Sequence, residues 1–160
     1  MRELLKNSLR MRPDRIILGE IRGAEALDML QAINTGHDES LGTIHANCPR
    51  EALSQLGNVI GAAGVSLPLA ALRTQIAAVT HLIVQIARMR DGIRRVTSIT
   101  EVTGMEGDTI VLQELLAYNV AGGTRGGAVD GGFAGTGLRP AVHDRAVNHG
   151  LGEMLMTAIR

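Results

Sequence analysis

The chain has no tryptophan, one tyrosine, one phenylalanine and one cysteine. With Tyr118 and Phe133 as its only aromatics, it offers no platform on which bases could stack, and no nucleic-acid partner is expected. The single Cys48 excludes an intramolecular disulfide and a cysteine-rich zinc site, and fits a reducing cytoplasm. Neither sign of charge is in excess: 16 basic and 16 acidic residues cancel, and a pI near 7.0 leaves no global field favouring nucleic acid or a membrane surface. No apolar run approaches the roughly 18 residues that suggest a bilayer span. Residues 1–15 carry five basic side chains but no continuous apolar stretch of the signal-peptide kind.

The shortage with most chemical consequence is lysine. Of the 16 basic residues only Lys6 is a lysine, and no glycine lies near it. A phosphate-binding loop of the G-x-x-x-x-G-K-[ST] type needs glycines so that backbone N–H groups can approach the phosphates, and a lysine to reach the terminal oxygens. The chain contains no such loop. A nucleotide site built on its other residues is therefore incomplete within this polypeptide.

What is present begins with Pro13-Asp14-Arg15-Ile16-Ile17-Leu18-Gly19-Glu20-Ile21-Arg22-Gly23. The apolar run Ile16–Leu18 reads as a buried strand ending in a glycine and delivering one carboxylate, Glu20. A second strand, over Ser40–His45, ends in Thr43-Ile44-His45-Ala46-Asn47 and delivers an imidazole in the same way. Ligands of open α/β sheets sit outside the carboxyl ends of the strands, which is where both groups fall. Glu20 there suits holding Mg²⁺ through water and orienting an attacking water, with Arg22 within reach as a cation. The alternative is a Glu20–Arg22 surface ion pair of little energetic weight. Thr43 and Asn47 add polar groups on the same side of the strand as His45, which suits an anionic ligand. His45 also reads as a core-edge histidine satisfied by a backbone carbonyl. His37, Asp38 and Glu39 are consecutive and belong to a solvated loop rather than a metal site. The arginines at 88, 90, 94 and 95 straddle a tight turn and read as a solvated hairpin tip.

Periodicity and glycine–proline punctuation supply the frame. Residues 2–11 form a short helix with Leu4, Leu5, Ser8 and Leu9 on one face, stopped before Pro13. Residues 24–34 form another, with Leu27, Leu30 and Ile33 inward, closed by Gly36. Pro49 opens a helix to about Ile60, with Glu51 at capping-box spacing from Cys48. Pro68 opens a fourth, with Leu69, Leu72, Ile76 and Val79 inward. Strands follow over His81–Ala87, Arg95–Val102 and Thr109–Tyr118, the first two joined by an Asp91-Gly92 hairpin of type I′. Between Gly122 and Gly137 eight of sixteen residues are glycine, reading as a flexible loop or an imperfect hairpin. Residues 141–159 return to a helical pattern. The class is α/β, a parallel layer with helices and an antiparallel extension.

These residues resemble a known family. Arg10 to Gly23 resembles the Walker B region of secretion-type ATPases, and Asn34-Thr35-Gly36-His37-Asp38 with Gly42-Thr43-Ile44-His45-Ala46-Asn47 resembles their histidine box. Arg90 to Val96, Glu101 to Asp108 and Thr136 to Pro140 look like the CpaF branch, the ATPases of Tad/Flp pilus assembly. The resemblance covers about residues 2–149. It implies the C-terminal part of a RecA-like P-loop NTPase domain whose N-terminal strands and Walker A loop are missing. Residues 1–120 would be the partial core, 121–140 a glycine-rich loop or hairpin, and 141–160 a helical segment. By position Glu20 matches the Walker B glutamate and His45 the histidine facing the γ-phosphate. Gly19 matches a glycine found where other ATPases carry aspartate, and Arg22, Thr43 and Asn47 would support the nucleotide.

The resemblance further implies ATP and Mg²⁺ as ligands of the intact protein. It also implies a cytoplasmic homohexamer peripheral to the inner membrane, docked on a membrane platform protein. The chain by itself is expected to bind neither ligand and to be inactive. The same residues also fit a conjugation or type IV secretion motor, or a non-catalytic oligomerisation module descended from one. The resemblance is departed from at Cys48, where Ser or Thr is frequent, at His81, where an acidic residue is usual, and at Glu39, which replaces a glycine or small polar residue.

Overall fold

The computed structural model describes residues 1–160 except Asp38, Val65, Ser66 and Gly126. Asp38, weighed above with His37 and Glu39, thus lies outside the described residues. The elements run α1 (Arg2–Arg10), β1 (Ile17–Leu18), α2 (Glu25–Asn34), β2 (Leu41–Gly42), α3 (Pro49–Ala62), α4 (Leu69–Val79), β3 (Leu82–Arg88), β4 (Arg94–Glu106), β5 (Thr109–Arg125), β6 (Ala128–Gly135), α5 (His143–Asn148) and α6 (Gly152–Ala158). They fall into two compact units, Met1–His81 with Gly104–Ile110, and Leu82–Thr103 with Val111–Arg160.

The first unit is built on β1 and β2, which pair in parallel with Ile17 opposite Leu41 and Leu18 opposite Gly42. Both strands are shorter than the runs predicted over Ile16–Leu18 and Ser40–His45. Pairing nevertheless continues as single bonds on either side, Leu41 N–H to the Ile16 carbonyl (2.9 Å) and Ile21 N–H to the Thr43 carbonyl (2.8 Å). At the strand entry Arg15 meets Glu39 at 2.7 Å, and the Ile16 N–H donates to Ser40 Oγ at 3.0 Å. Glu39, a departure from the resembled family, is therefore paired with Arg15 at the strand entry.

The helices pack by the aliphatic faces their spacing predicts, with corrections. Leu5, Ile16, Met29 and Ala32 form one cluster that joins α1 and α2. Leu4 in α1 and Leu69 in α4 instead face solvent, at 69% and 57% exposure. In α2 the most buried apolar residues are Ala26, Met29, Leu30 and Ala32, whereas Leu27 and Ile33 are half-buried. The stripe is thus rotated towards small residues that allow close approach. Asp28 is also buried there, and Arg2 reaches it from α1 at 2.6 Å. A buried carboxylate without such a partner is costly, so this ion pair fixes how α1 lies on α2. Ile60 of α3 and Ile76 of α4 are fully enclosed, each burial stabilising by about 1.5–3 kcal/mol.

The antiparallel strands form a separate four-stranded sheet, ordered β3-β4-β5-β6, which belongs to the second unit except for the β4–β5 tip at Gly104–Ile110. β5 and β6 pair antiparallel, with Leu116 opposite Gly135 and Arg125 opposite Ala128. Their register slips between Val120 and Thr124. Tyr118 and Phe133 lie opposite each other and meet edge to face, centroids 5.4 Å apart. The β3–β4 turn is not type I′, because Asp91 is absent from the positive-φ residues; Gly92 alone takes the left-handed conformation, at φ 79°. The Gly92 N–H donates to the Met89 carbonyl at 2.8 Å, giving a type I turn closed by that glycine. Asp91 is free to accept from Ile93 N–H, Arg95 and, across the sheet, Val129 N–H. These donors, Arg95 first, hold its carboxyl well below the usual carboxylate range.

The 141–159 helical pattern resolves into α5 and α6, separated at Gly150. Glu101, buried in β4, caps the approach to α5 by accepting the Ala141 N–H at 2.8 Å. Beyond α6 the chain comes back onto β6 so closely that a Cβ on Gly135 would stand 1.8 Å from the Ile159 carbonyl oxygen. A Gly135→Ala variant should therefore lose about 1–3 kcal/mol, as overpacked sites do, read as a lower urea midpoint by far-ultraviolet circular dichroism. Removing Ile159 and Arg160 from that variant should recover part of the loss; full additivity of the two changes would contradict the contact.

Candidate functional site

Parallel pairing of β1 and β2 sends both chains off the same end of the sheet. There the two loops are knitted together, Ile21 N–H to the Thr43 carbonyl and the Thr43 hydroxyl to the Gly19 carbonyl. Glu20 and His45 sit on these loops, and the structure brings them into contact: His45 Nε2 lies 3.1 Å from Glu20 Oε1. The Glu20 side chain is 25% exposed and that of His45 is 92% exposed, so the carboxylate is partly recessed while the imidazole stands open to an incoming group. His45 is thus not the enclosed core-edge histidine that was its alternative reading.

Arg22 turns back and donates to Glu20 Oε2. Its hydrogen bond is the largest cause that lowers the Glu20 pKa, with smaller contributions from its charge and from His45. The Arg22 pKa is raised in return. Glu20 therefore stays ionised below the usual carboxylate range and is held as an acceptor by two groups. The Glu20–Arg22 ion pair is present, and Glu20 also faces His45.

The remaining predicted residues divide by what they touch. Gly19 has open space on its Cα and supplies the carbonyl that Thr43 grips. The Thr43 hydroxyl is thereby committed to the backbone. The Asn47 amide and backbone N–H both donate to Glu51, at 2.9 and 3.0 Å. Glu51, predicted to cap Cys48, thus reaches one residue earlier, and Cys48 makes no side-chain cap of its own. Sequence reasoning missed Glu25, which is buried at the start of α2 and accepts the N–H groups of Arg22 and Gly23 at 2.9 and 3.0 Å. The readable signal was a glutamate three residues after Arg22, at the first turn of a helix. Among the described residues no group of three or more His, Cys, Asp or Glu is placed to hold a metal ion. A metal here would rely on Glu20 and on its own waters, as Mg²⁺ commonly does. No helix among the described residues is long and apolar enough to cross a membrane.

A family model described as "Type II/IV secretion system protein" matches residues 1–114. A Mycobacterium tuberculosis protein named for conjugal transfer is 46% identical over 107 residues, 67% of this chain and 30% of that protein. The conjugal transfer protein TrbB of Rhizobium radiobacter is 40% identical over 104 residues, 65% of this chain and 31% of its own. The VirB11 ATPase from the Brucella suis type IV secretion system, crystallised with sulphate, matches with a TM-score of 0.56 at 29% identity. That match covers 61% of this chain and 32% of the VirB11 chain. The chain thus spans about a third of the length of the curated relatives it matches.

The site's electrostatics are testable without any ligand. Arg22→Ala should raise the Glu20 pKa towards the ordinary carboxylate value, measured by NMR titration of the side-chain carboxyl. Because the folded pKa is depressed, any stability Glu20 contributes is present above the ordinary carboxylate range and lost as pH falls through the lowered value. An unmoved Glu20 titration in Arg22→Ala would remove the arginine from this role.

Proposed function

Because the chain belongs to the type II/IV secretion system protein family, we propose that it is the part of an ATP-hydrolysing secretion motor that carries the catalytic glutamate and the phosphate-facing histidine. The observation that carries this reading is the contact of Glu20 with His45 beyond the carboxyl ends of a parallel strand pair. Phosphoryl transfer asks the protein mainly to position groups and stabilise charge. Glu20 accepts a hydrogen bond from the attacking water and draws its proton as the water oxygen bonds to the γ-phosphorus. The bond from that phosphorus to the bridging oxygen breaks, and ADP departs with the electron pair. The open imidazole of His45 meets the γ-phosphate, and Arg22 holds Glu20 ionised for the task. Mg²⁺ bound with the nucleotide would neutralise phosphate charge, with Glu20 touching it through water. Gly19, Thr43 and Asn47 then shape the loops around the nucleotide.

The chain supplies the hydrolytic half of such a site. The glycine-rich loop and its lysine, absent from this sequence, must come from elsewhere, and arginines do not replace a ring of backbone N–H donors. In this reading the completed protein is a homohexamer at the cytoplasmic face of an inner-membrane platform. The stretches Arg90–Val96 and Glu101–Asp108 favour the Tad/Flp pilus branch. A conjugation or type IV secretion motor is the second reading, favoured by the conjugal transfer names of the relatives.

Alone, the chain should neither bind ATP with micromolar affinity nor hydrolyse it, as a binding titration on the purified protein would reveal. Joined by fusion or co-expression to a polypeptide that carries the G-x-x-x-x-G-K-[ST] half, it should release phosphate. Glu20→Gln in that complex should cut turnover by about 100-fold or more while leaving ATP binding largely intact. Tight ATP binding by the chain alone would defeat the half-site reading, and undiminished turnover by Glu20→Gln would remove the glutamate from catalysis.

A further inference from the structure

We infer that Glu25 and Glu51 are a matched pair of positioning residues that hold the Glu20 and His45 loops at working separation. The inference rests on the reading of Glu20 and His45 as a hydrolytic pair. Its basis is a repeated arrangement. Each reactive side chain follows a strand, and the residue two further on, Arg22 or Asn47, is gripped by a glutamate from the first turn of the next helix. In the first loop Glu25 Oε1 accepts the N–H groups of Arg22 and Gly23 at 2.9 and 3.0 Å. In the second, Glu51 accepts the Asn47 N–H at 3.0 Å and the Asn47 amide at 2.9 and 3.2 Å.

Ordinary helix capping does not account for this. A capping-box glutamate reaches back to the N–H of its own N-cap residue. Glu51 reaches past the extended N-cap Cys48 to the Asn47 N–H, and Glu25 reaches past Gly23, where the helical dihedrals of Ala24 place the cap, to the Arg22 N–H. Glu25 does so while only 8% exposed, which a carboxylate tolerates when its lone pairs are filled by fixed donors. Backbone donation from Arg22 is the largest cause that keeps its pKa low. With Thr43 bracing Gly19 and Ile21 bonded to the Thr43 carbonyl, each loop is tied both to the other and to the helix behind it. The helices α2 and α3 therefore set where the two reactive groups stand.

The acceptor oxygen, rather than the charge, is what the loops require, so glutamine should serve where alanine fails. In chain labelled at histidine and glutamate, the nuclear Overhauser contact between the His45 ring and the Glu20 side chain should be lost in Glu51→Ala and Glu25→Ala. It should be retained in Glu51→Gln and Glu25→Gln. In the complex completed with a G-x-x-x-x-G-K-[ST] half, each alanine variant should lower kcat about tenfold or more with KM for ATP unchanged, and glutamine should restore it. Retention of the contact in both alanine variants, unchanged kcat, or glutamine as impaired as alanine would overturn the proposal. If Glu25→Ala fails to fold, Glu51→Ala and Asn47→Ala decide by the same two measurements. A wild-type complex that releases no phosphate would count against the hydrolytic reading, while the ring contact still decides whether the glutamates position the pair.

Discussion

A parallel ladder of a few backbone bonds between β1 and β2 is the constraint on which the candidate site depends. Parallel pairing makes the two segments leave the sheet in the same direction, so the residues just past each strand are brought to the same end. Antiparallel pairing of the same segments would send Glu20 and His45 to opposite ends. The ladder is short, and it is flanked at its entry by the Ile16 N–H bond to Ser40 Oγ and at its exit by the Thr43–Gly19 bond. Side chains thus supply at both ends the fixity that so few backbone bonds cannot give alone.

The two units solve the same shortage by different means. The first has no bulky ring at all, and the second has only Tyr118 and the exposed Phe133, so rings define neither core. The first relies on aliphatic helix faces around Ile60 and Ile76 and on the buried Asp28, which the exposed Arg2 reaches from α1. The second relies on carboxylates as hubs: Asp91 joins the β3–β4 turn to β6, and Glu101 joins β4 to the approach to α5. Such polar centres hold a unique arrangement because each of their acceptors has a fixed donor, and breaking one partner leaves the other exposed to the cost of burial.

Much of this was legible in the sequence, and the reasons are local. Proline and glycine mark α2, α3 and α4 within a few residues, because those signals act on the backbone where they stand. Glu20 and His45 were legible because each ends an apolar run. The rest depended on neighbours distant in the chain. β5 runs to Arg125 and β6 exists at all because the glycine-rich Ala128–Gly135 pairs with residues 116–120 and 124–125, and composition alone left loop and hairpin both open. The rotation of α2 towards Ala26 and Ala32 reflects how closely its neighbours approach. The polar groups beside His45 read as ligand contacts, yet Thr43 and Asn47 are occupied in bracing, a choice made by Gly19 and Glu51.

The edge-to-face pair of Tyr118 and Phe133 has an optical consequence. Since the chain has no tryptophan and no other aromatic residue, its near-ultraviolet absorbance and dichroism arise almost wholly from one cross-strand contact in the β5–β6 hairpin. Tyrosine emission is a local gauge of that hairpin and silent about the loops that carry Glu20 and His45. A probe of those loops has to be introduced, and a tryptophan added there would report against a dark background.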